Sequence, residues 1–325
     1  MRPVAMVRHS TSDACGIAIF SRHLRERLQR RGICVEDYDL AHRCYEPASV
    51  TLVHYVPSMW ADATKEFREV MADAYAVGQV LVLLHGMYGP GDLRHGHEKP
   101  CKELPEHLSV MQHYASAVIA LSSSCASSYN RWRSQGIDVS DTSVLTHPGV
   151  YSPYDPSAPR PHTKYVFYGG VIRPKKSVLA DSTQQLFQLL SDRGLLLWSH
   201  QTNASSGVDP VSAWRTTFGL CSDAKWTKIL GNAAAVICPY GTRIQTVSGV
   251  IAEAISVGTP VASTDFAFAR EMQRQYPDFI RIEDDLSKWP GIVVDLCAQF
   301  RARPPDYPTW DRFVDGLIWQ LWAVS

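Results

Sequence analysis

The chain has 325 residues, more than one ordinary domain, with 45% hydrophobic and 20% charged residues, as in globular proteins. Its 32 Lys and Arg balance 32 Asp and Glu, so no global field favours nucleic acid. No apolar run approaches the ~18 residues a membrane span needs, and the eight cysteines include no CxxC pair. They read as reduced, mostly buried thiols of a cytoplasmic protein.

In chain order, short apolar runs predict strands at Val4–Val7, Ile33–Tyr38, Val50–Val53, Val80–Leu84, Ala117–Ala120 and Thr142–Leu145. Amphipathic stretches between them predict helices at Ile17–Arg31, Ala61–Ala76, Pro105–His113 and Ser124–Gln135. The alternation implies a mainly parallel, doubly wound sheet. The proline-rich His147–His162 breaks the pattern as a linker would. A second series follows. Strands are expected at Tyr165–Tyr168, Leu195–Trp198, Ala234–Ile237 and Val261–Ala262, with helices at Ser177–Leu190, Ala224–Leu230 and Gly249–Val257. Another proline-rich break at 301–308 precedes a last helix bearing Trp310, Trp319 and Trp322. The expected domains are therefore residues 1–150, residues 151–303 and a terminal helix over 304–325.

In open α/β sheets ligands bind beyond the carboxyl ends of strands, so residues that follow strands are the candidates. Ser248 and Gly249 open a helix after the strand Ala234–Ile237. Free backbone N–H groups at such a start, Val250 included, make an anion site beside the positive end of the dipole. Glu253 lies one turn deeper, where a carboxylate can accept hydrogen bonds from a sugar diol. Arg173 and Lys176 follow the strand Tyr165–Tyr168 and can neutralise a diphosphate. Lys175 is the weaker contact, and Pro174 stands where a P-loop needs glycine. His85 ends the most apolar strand of the first half, where it can bond a sugar hydroxyl or merely cap the strand. Asp13 can orient an acceptor hydroxyl, although capping the first helix is the simpler role. His95, His97 and Cys101 lack closed tetrahedral spacing, so no metal site is expected. The arginines of the first helix (Arg22, Arg25, Arg27, Arg30 and Arg31) form a solvated face that can also meet an anionic membrane surface.

Two stretches, YVFYGGVIRPKKS at 165–177 and the strand–helix–strand unit of Val236–Asp265, together resemble the retaining GT-B glycosyltransferases, which include sucrose synthase and bacterial lipopolysaccharide and mannosyl transferases. The resemblance implies an α/β fold of two Rossmann-like doubly wound domains facing across a cleft, with acceptor binding in the first and donor binding in the second. It assigns Gly169, Gly170, Arg173 and Lys176 to the donor diphosphate, Glu253 to the nucleotide ribose and His85 to the donor sugar. It also makes Gly16 part of a glycine-rich first loop, where Cys15 replaces the first glycine of the family's pair. The family's two glutamates stand eight positions apart, and here the first of these positions is Gln245. Its amide keeps hydrogen bonding to donor hydroxyls but carries no charge. The implied activity is metal-independent, retaining transfer from a nucleotide diphosphate sugar, UDP- or GDP-linked, with no cofactor. The acceptor is a hydroxyl on a glycan, lipid-linked sugar, natural product or modified nucleic acid. A non-hydrolysing sugar-nucleotide epimerase and an inactive nucleotide-sugar binder are the competing readings.

Overall fold

The computed structural model describes residues 4–8, 16–39, 50–60, 63–90, 102–152, 165–168, 180–201, 214–218, 221–241, 246–298, 304 and 306–324. The chain divides into two compact units. Unit 1 comprises Met1–His147, Gln245–Val247 and Trp310–Ser325, and unit 2 comprises Pro148–Ile244 and Ser248–Thr309.

Unit 1 is built on strands β1 (Val4–Arg8), β2 (Val35–Asp39), β3 (Val50–Tyr55), β4 (Gln79–Leu84), β5 (Ala117–Ala120) and β6 (Thr142–Val144). They form one sheet in the order β2-β1-β3-β4-β5-β6, and every pairing is parallel. All six residues of β3 are buried, which is why VTLVHY lacks the polar alternation of a half-exposed strand. The covering helices are α1 (Gly16–Arg30), α2 (Thr64–Val77), α3 (Leu104–Tyr114) and α4 (Ser123–Asn130). The last helix of the chain, α10 (Trp310–Val324), also belongs here. It buries Trp310, Phe313, Val314, Leu317 and Leu321, and Phe20 of α1 meets Trp310 and Phe313 at ring distances of 5.0 and 5.6 Å. Gly316 admits Leu145 to the helix surface, since a β-carbon there would lie 2.9 Å from its methyl.

Unit 2 carries β7 (Tyr165–Tyr168), β8 (Leu196–Gln201), β9 (Trp214–Phe218), β10 (Ala235–Cys238), β11 (Val261–Ser263) and β12 (Ile280–Ile282). The sheet order is β12-β11-β10-β7-β8-β9, again all parallel. Read from β9, this is the 3-2-1-4-5-6 order of a dinucleotide-binding sheet, and the winding reverses between β7 and β10. Its helices are α5 (Ala180–Asp192), α6 (Asp223–Asn232), α7 (Gly249–Ser256), α8 (Ala267–Gln275) and α9 (Trp289–Ala298). Gly258, at φ 79°, ends α7 in a left-handed turn, and Gly258 and Thr259 donate back to Ile255 and Ala254.

Several expectations need correction. The stretch 124–135 is not one helix: α4 stops at Asn130 and a 3-10 turn runs from Arg131 to Gln135. Four serines and an asparagine in α4 favour local turns over a continued helix. The second helix starts at Thr64 rather than Ala61. Of the five cysteines among the described residues, Cys125 and Cys238 are buried, whereas Cys34 is exposed.

Candidate functional site

In unit 2 the helix α7 begins just after β10, beside the point where the sheet order reverses. Ser248 is its cap: the residue is extended and its hydroxyl accepts from the N–H of Ile251 at 3.4 Å. The first two amides of the helix, those of Gly249 and Val250, have no hydrogen-bond partner among the described residues, and both residues are half-buried. Two open donors at the positive end of a helix favour an anion.

One turn further on, Glu253 is buried at 6% exposure. Its Oε2 accepts from the indole N–H of Trp226 on α6 at 2.6 Å, and no other hydrogen bond to its carboxyl is made among the described residues. The indole is itself held edge-on to Phe167 of β7, with ring centroids 5.4 Å apart. Burial pushes the Glu253 carboxyl up to about 8; the Trp226 hydrogen bond opposes that shift and nearby Asp223 adds to it. A buried carboxyl with one oxygen tied to an indole leaves the other to share hydrogen bonds with ligand hydroxyls. It is therefore not the exposed helix carboxylate that the alanine-rich sequence around it also permitted.

In unit 1, His85 directly follows β4 and extends the ladder by donating its backbone N–H to the Tyr55 carbonyl at 2.9 Å. Its ring is half-buried and lies 2.7 Å, nitrogen to nitrogen, from His54 near the end of β3. The loop behind His85 is pinned. Thr246 accepts from the Met87 N–H at 3.0 Å, Ser122 donates to the Thr246 carbonyl, and Trp132 donates to the Tyr88 carbonyl at 2.8 Å. Gly16 opens α1 and is exposed, with nothing among the described residues within 4 Å of a would-be β-carbon. That leaves room for close approach of a ligand to the backbone.

The structure thus places Ser248, Gly249, Val250 and Glu253 together on one helix, and Gly16 and His85 each at a strand-to-helix or strand-to-loop junction of unit 1. Asp13, Gly169, Gly170, Arg173, Lys175, Lys176, Gln245, His95, His97 and Cys101 lie outside the described residues. Among the described residues no group of three or more His, Cys, Asp or Glu is arranged to hold a metal. The residues that sequence reasoning missed are His54, Thr246 and Trp226. His54 carried a usable signal, a histidine closing an apolar strand as His85 does. Trp226 and Thr246 carried none.

No protein-family model matches the sequence, and no curated protein matches it. Solved structures do. WaaG, a glycosyltransferase involved in lipopolysaccharide biosynthesis, aligns at 13% identity and TM-score 0.61 over 91% of this chain and 90% of its own. The UDP-GlcNAc 2-epimerase of Methanocaldococcus jannaschii aligns at 8% identity and TM-score 0.61 over 100% of both chains. TarM aligns at 12% identity and TM-score 0.56 over 83% of this chain; the chain spans 54% of TarM.

The chain has the GT-B fold. At these identities the likeness concerns architecture, and GT-B proteins include both a transferase and an epimerase in this comparison. What a GT-B chain does must therefore be argued from its own side chains. No helix among the described residues is long and apolar enough to cross a membrane.

Proposed function

We propose that the chain is a metal-independent glycosyltransferase that moves a sugar, with retention, from a nucleotide diphosphate sugar to an acceptor hydroxyl. The observation that carries this reading is the start of α7, where two amides with no partner among the described residues stand one turn from a buried, indole-held glutamate. Diphosphate at the amides and ribose hydroxyls on Glu253 match that spacing. Arg173 and Lys176, with the helix dipole, would stabilise the charge that develops on the departing diphosphate, the main electrostatic demand of the reaction. They supply what a divalent ion would otherwise provide. Gly170 and Gln245 would complete the donor contacts, with His85 on the donor sugar and Gly16 and Asp13 on the first-loop side. No residue stands out as a covalent nucleophile. The leaving phosphate oxygen is then the base that takes the acceptor's proton on the same face.

The epimerase reading is favoured by one specific observation, the alignment over the full length of a UDP-GlcNAc 2-epimerase. That chemistry needs acid and base carboxylates at the sugar, and Gln245 is an amide. Incubation with donor sugar alone separates the two: an epimerase converts the sugar, whereas a transferase releases nucleotide only when an acceptor is added.

The reading extends to where the acceptor is met. On α10, Trp319 and Trp322 are 65% and 61% exposed, three residues apart. The neighbouring α1 bears four arginines and Arg31 follows it, bonding Asp311 and Asp315 of α10. Exposed indoles on α10 and arginines on α1, the helix packed against it, suit the headgroup region of an anionic bilayer, so a lipid-linked acceptor is the favoured class.

A further inference from the structure

His54, the next-to-last residue of β3, is fully buried at 0% exposure. The parallel register pairs it with Leu83 of β4. His85, two residues on, projects to the same face of the sheet, because side chains alternate along a strand. The two rings meet there, His54 Nδ1 and His85 Nε2 standing 2.7 Å apart. Phe20 of α1 closes on both, edge-on to His85 at 4.9 Å and 89°, and to His54 at 6.1 Å and 75°. His85 is therefore fixed twice, by an aromatic edge and by a ring nitrogen.

The chemistry of that contact restricts His85 further. A fully buried imidazole stays neutral, so His54 has one N–H and one lone pair to offer. In a bond between two neutral rings, one nitrogen donates and the other accepts. Whichever role His85 Nε2 takes, His85 Nδ1 must take the opposite one. If Nε2 carries the proton, Nδ1 is an acceptor; if Nε2 accepts, Nδ1 is the N–H. Around the same cluster, His147 packs on Phe20 and His23 on Trp310, with Arg27 over the Trp310 ring and Glu26 beside His23.

We propose that His54 is a positioning residue: through its Nδ1 it fixes the rotamer of His85 and ties the tautomers of the two rings together, so that His85 Nδ1 meets a sugar hydroxyl in a set place and in the role opposite to that of Nε2. The inference rests on the reading of His85 as a contact to the donor sugar. A strand-end histidine that merely filled space would need no partner of defined hydrogen-bonding character. Here the partner is buried and so cannot be exchanged for water.

Nitrogen-15 NMR of the full-length protein tests the proposal without any ligand. The expected spectrum shows a coupling between His54 Nδ1 and His85 Nε2 across the proton they share. In His54→Phe, which keeps an aromatic ring of similar size, His85 Nε2 should lose its partner and both His85 nitrogens should shift, whereas His54→Gln, whose amide can give or take the bond, should keep the His85 shifts close to wild type. The functional arm compares UDP-glucose with UDP and GDP-mannose with GDP by calorimetry. His54→Phe should weaken the nucleotide sugar about 10-fold, the loss of roughly one hydrogen bond, and leave the nucleoside diphosphate unchanged. A wild-type spectrum without that coupling overturns the proposal, as does a folded His54→Phe with an unaltered His85 spectrum. If the phenyl variant does not fold, the wild-type spectrum and His54→Gln carry the test. The reading of His85 fails separately, if His85→Ala binds nucleotide sugar and free nucleotide with the wild-type ratio.

Discussion

Trp226 donates its indole N–H to Glu253 at 2.6 Å, joining two helices of unit 2 through a buried carboxyl. The bond orients the glutamate so that one oxygen is committed and the other is available to a ligand. Trp226→Phe keeps the ring against Phe167 and removes only the donor. Stripping one partner from a buried polar group costs ~1–3 kcal/mol, so unfolding in urea should show a loss of that size. Affinity for a nucleoside diphosphate should weaken alongside it. An unchanged midpoint and unchanged affinity would mean the bond is incidental.

Glu253 also makes the stability of unit 2 depend on pH. Its folded carboxyl holds a proton up to about pH 8, whereas the unfolded one releases it near 4.5. Between those values the folded state binds more protons, so stability is complete below about pH 4.5 and falls as pH rises towards 8. At 1.36 kcal/mol per unit the whole effect is on the order of 5 kcal/mol. Glu253→Gln, which keeps an acceptor for the indole, should flatten this dependence. Hydrogen exchange read on peptides of unit 2 at pH 5 and pH 8 measures it directly. Equal protection at both values in the wild type would refute a buried neutral carboxyl.

Unit 1 should respond in the opposite sense. Burial pushes His54 down to about 3 and His147 down to about 4, from 6.5. Between those values and 6.5 the unfolded state binds more protons, so stability is complete above 6.5 and is lost as pH falls towards 4 and 3. Exchange of unit 1 peptides should quicken between pH 6.5 and pH 4.5, with no change in this arm for Glu253→Gln. Protection that stays constant over that range would show that neither ring must be neutral for folding.

The strands of both sheets that run continuously apolar could be read directly, because a strand buried on both faces needs no polar alternation. β9 could not: WRTTF is half polar and offers no apolar run. Nor could β12, which is three residues long with an arginine at its centre. At the candidate site, the cap at Ser248 and the glutamate one turn later were visible as a spacing on one helix. The indole that holds Glu253 lies 27 residues away on another helix, and only the fold brings it there. His54 meets His85 through strand register, which sequence periodicity does not determine.

Thr246 should prove structurally demanding for its size. Its hydroxyl accepts from the Met87 N–H at 3.0 Å and lies 3.3 Å from the Met87 carbonyl, at a site that is buried. Thr246→Val preserves the shape and leaves that N–H unpaired, at ~1–3 kcal/mol. Thermal unfolding should drop by several degrees, while Thr246→Ser stays close to wild type. Equal stability of the valine and serine variants would contradict the assigned bond.

The exposed indoles of α10 give a further test. Wild-type protein should sediment with vesicles containing phosphatidylglycerol and much less with pure phosphatidylcholine. The double variant Trp319→Ser, Trp322→Ser should lose most of that binding with its fold intact, since both side chains face outward. Sedimentation that ignores both lipid charge and the double variant removes the membrane reading.

Binding of a nucleotide sugar at the start of α7 is tested most directly by thermal unfolding against UDP-, GDP-, ADP- and dTDP-sugars. A ligand at a hundredfold its Kd adds ~2.7 kcal/mol to folding stability, so one sugar nucleotide should raise the midpoint of the wild type by several degrees. The shift should shrink sharply in Glu253→Ala. No shift with any of the four, or an equal shift in the variant, would place the ligand elsewhere or remove it altogether.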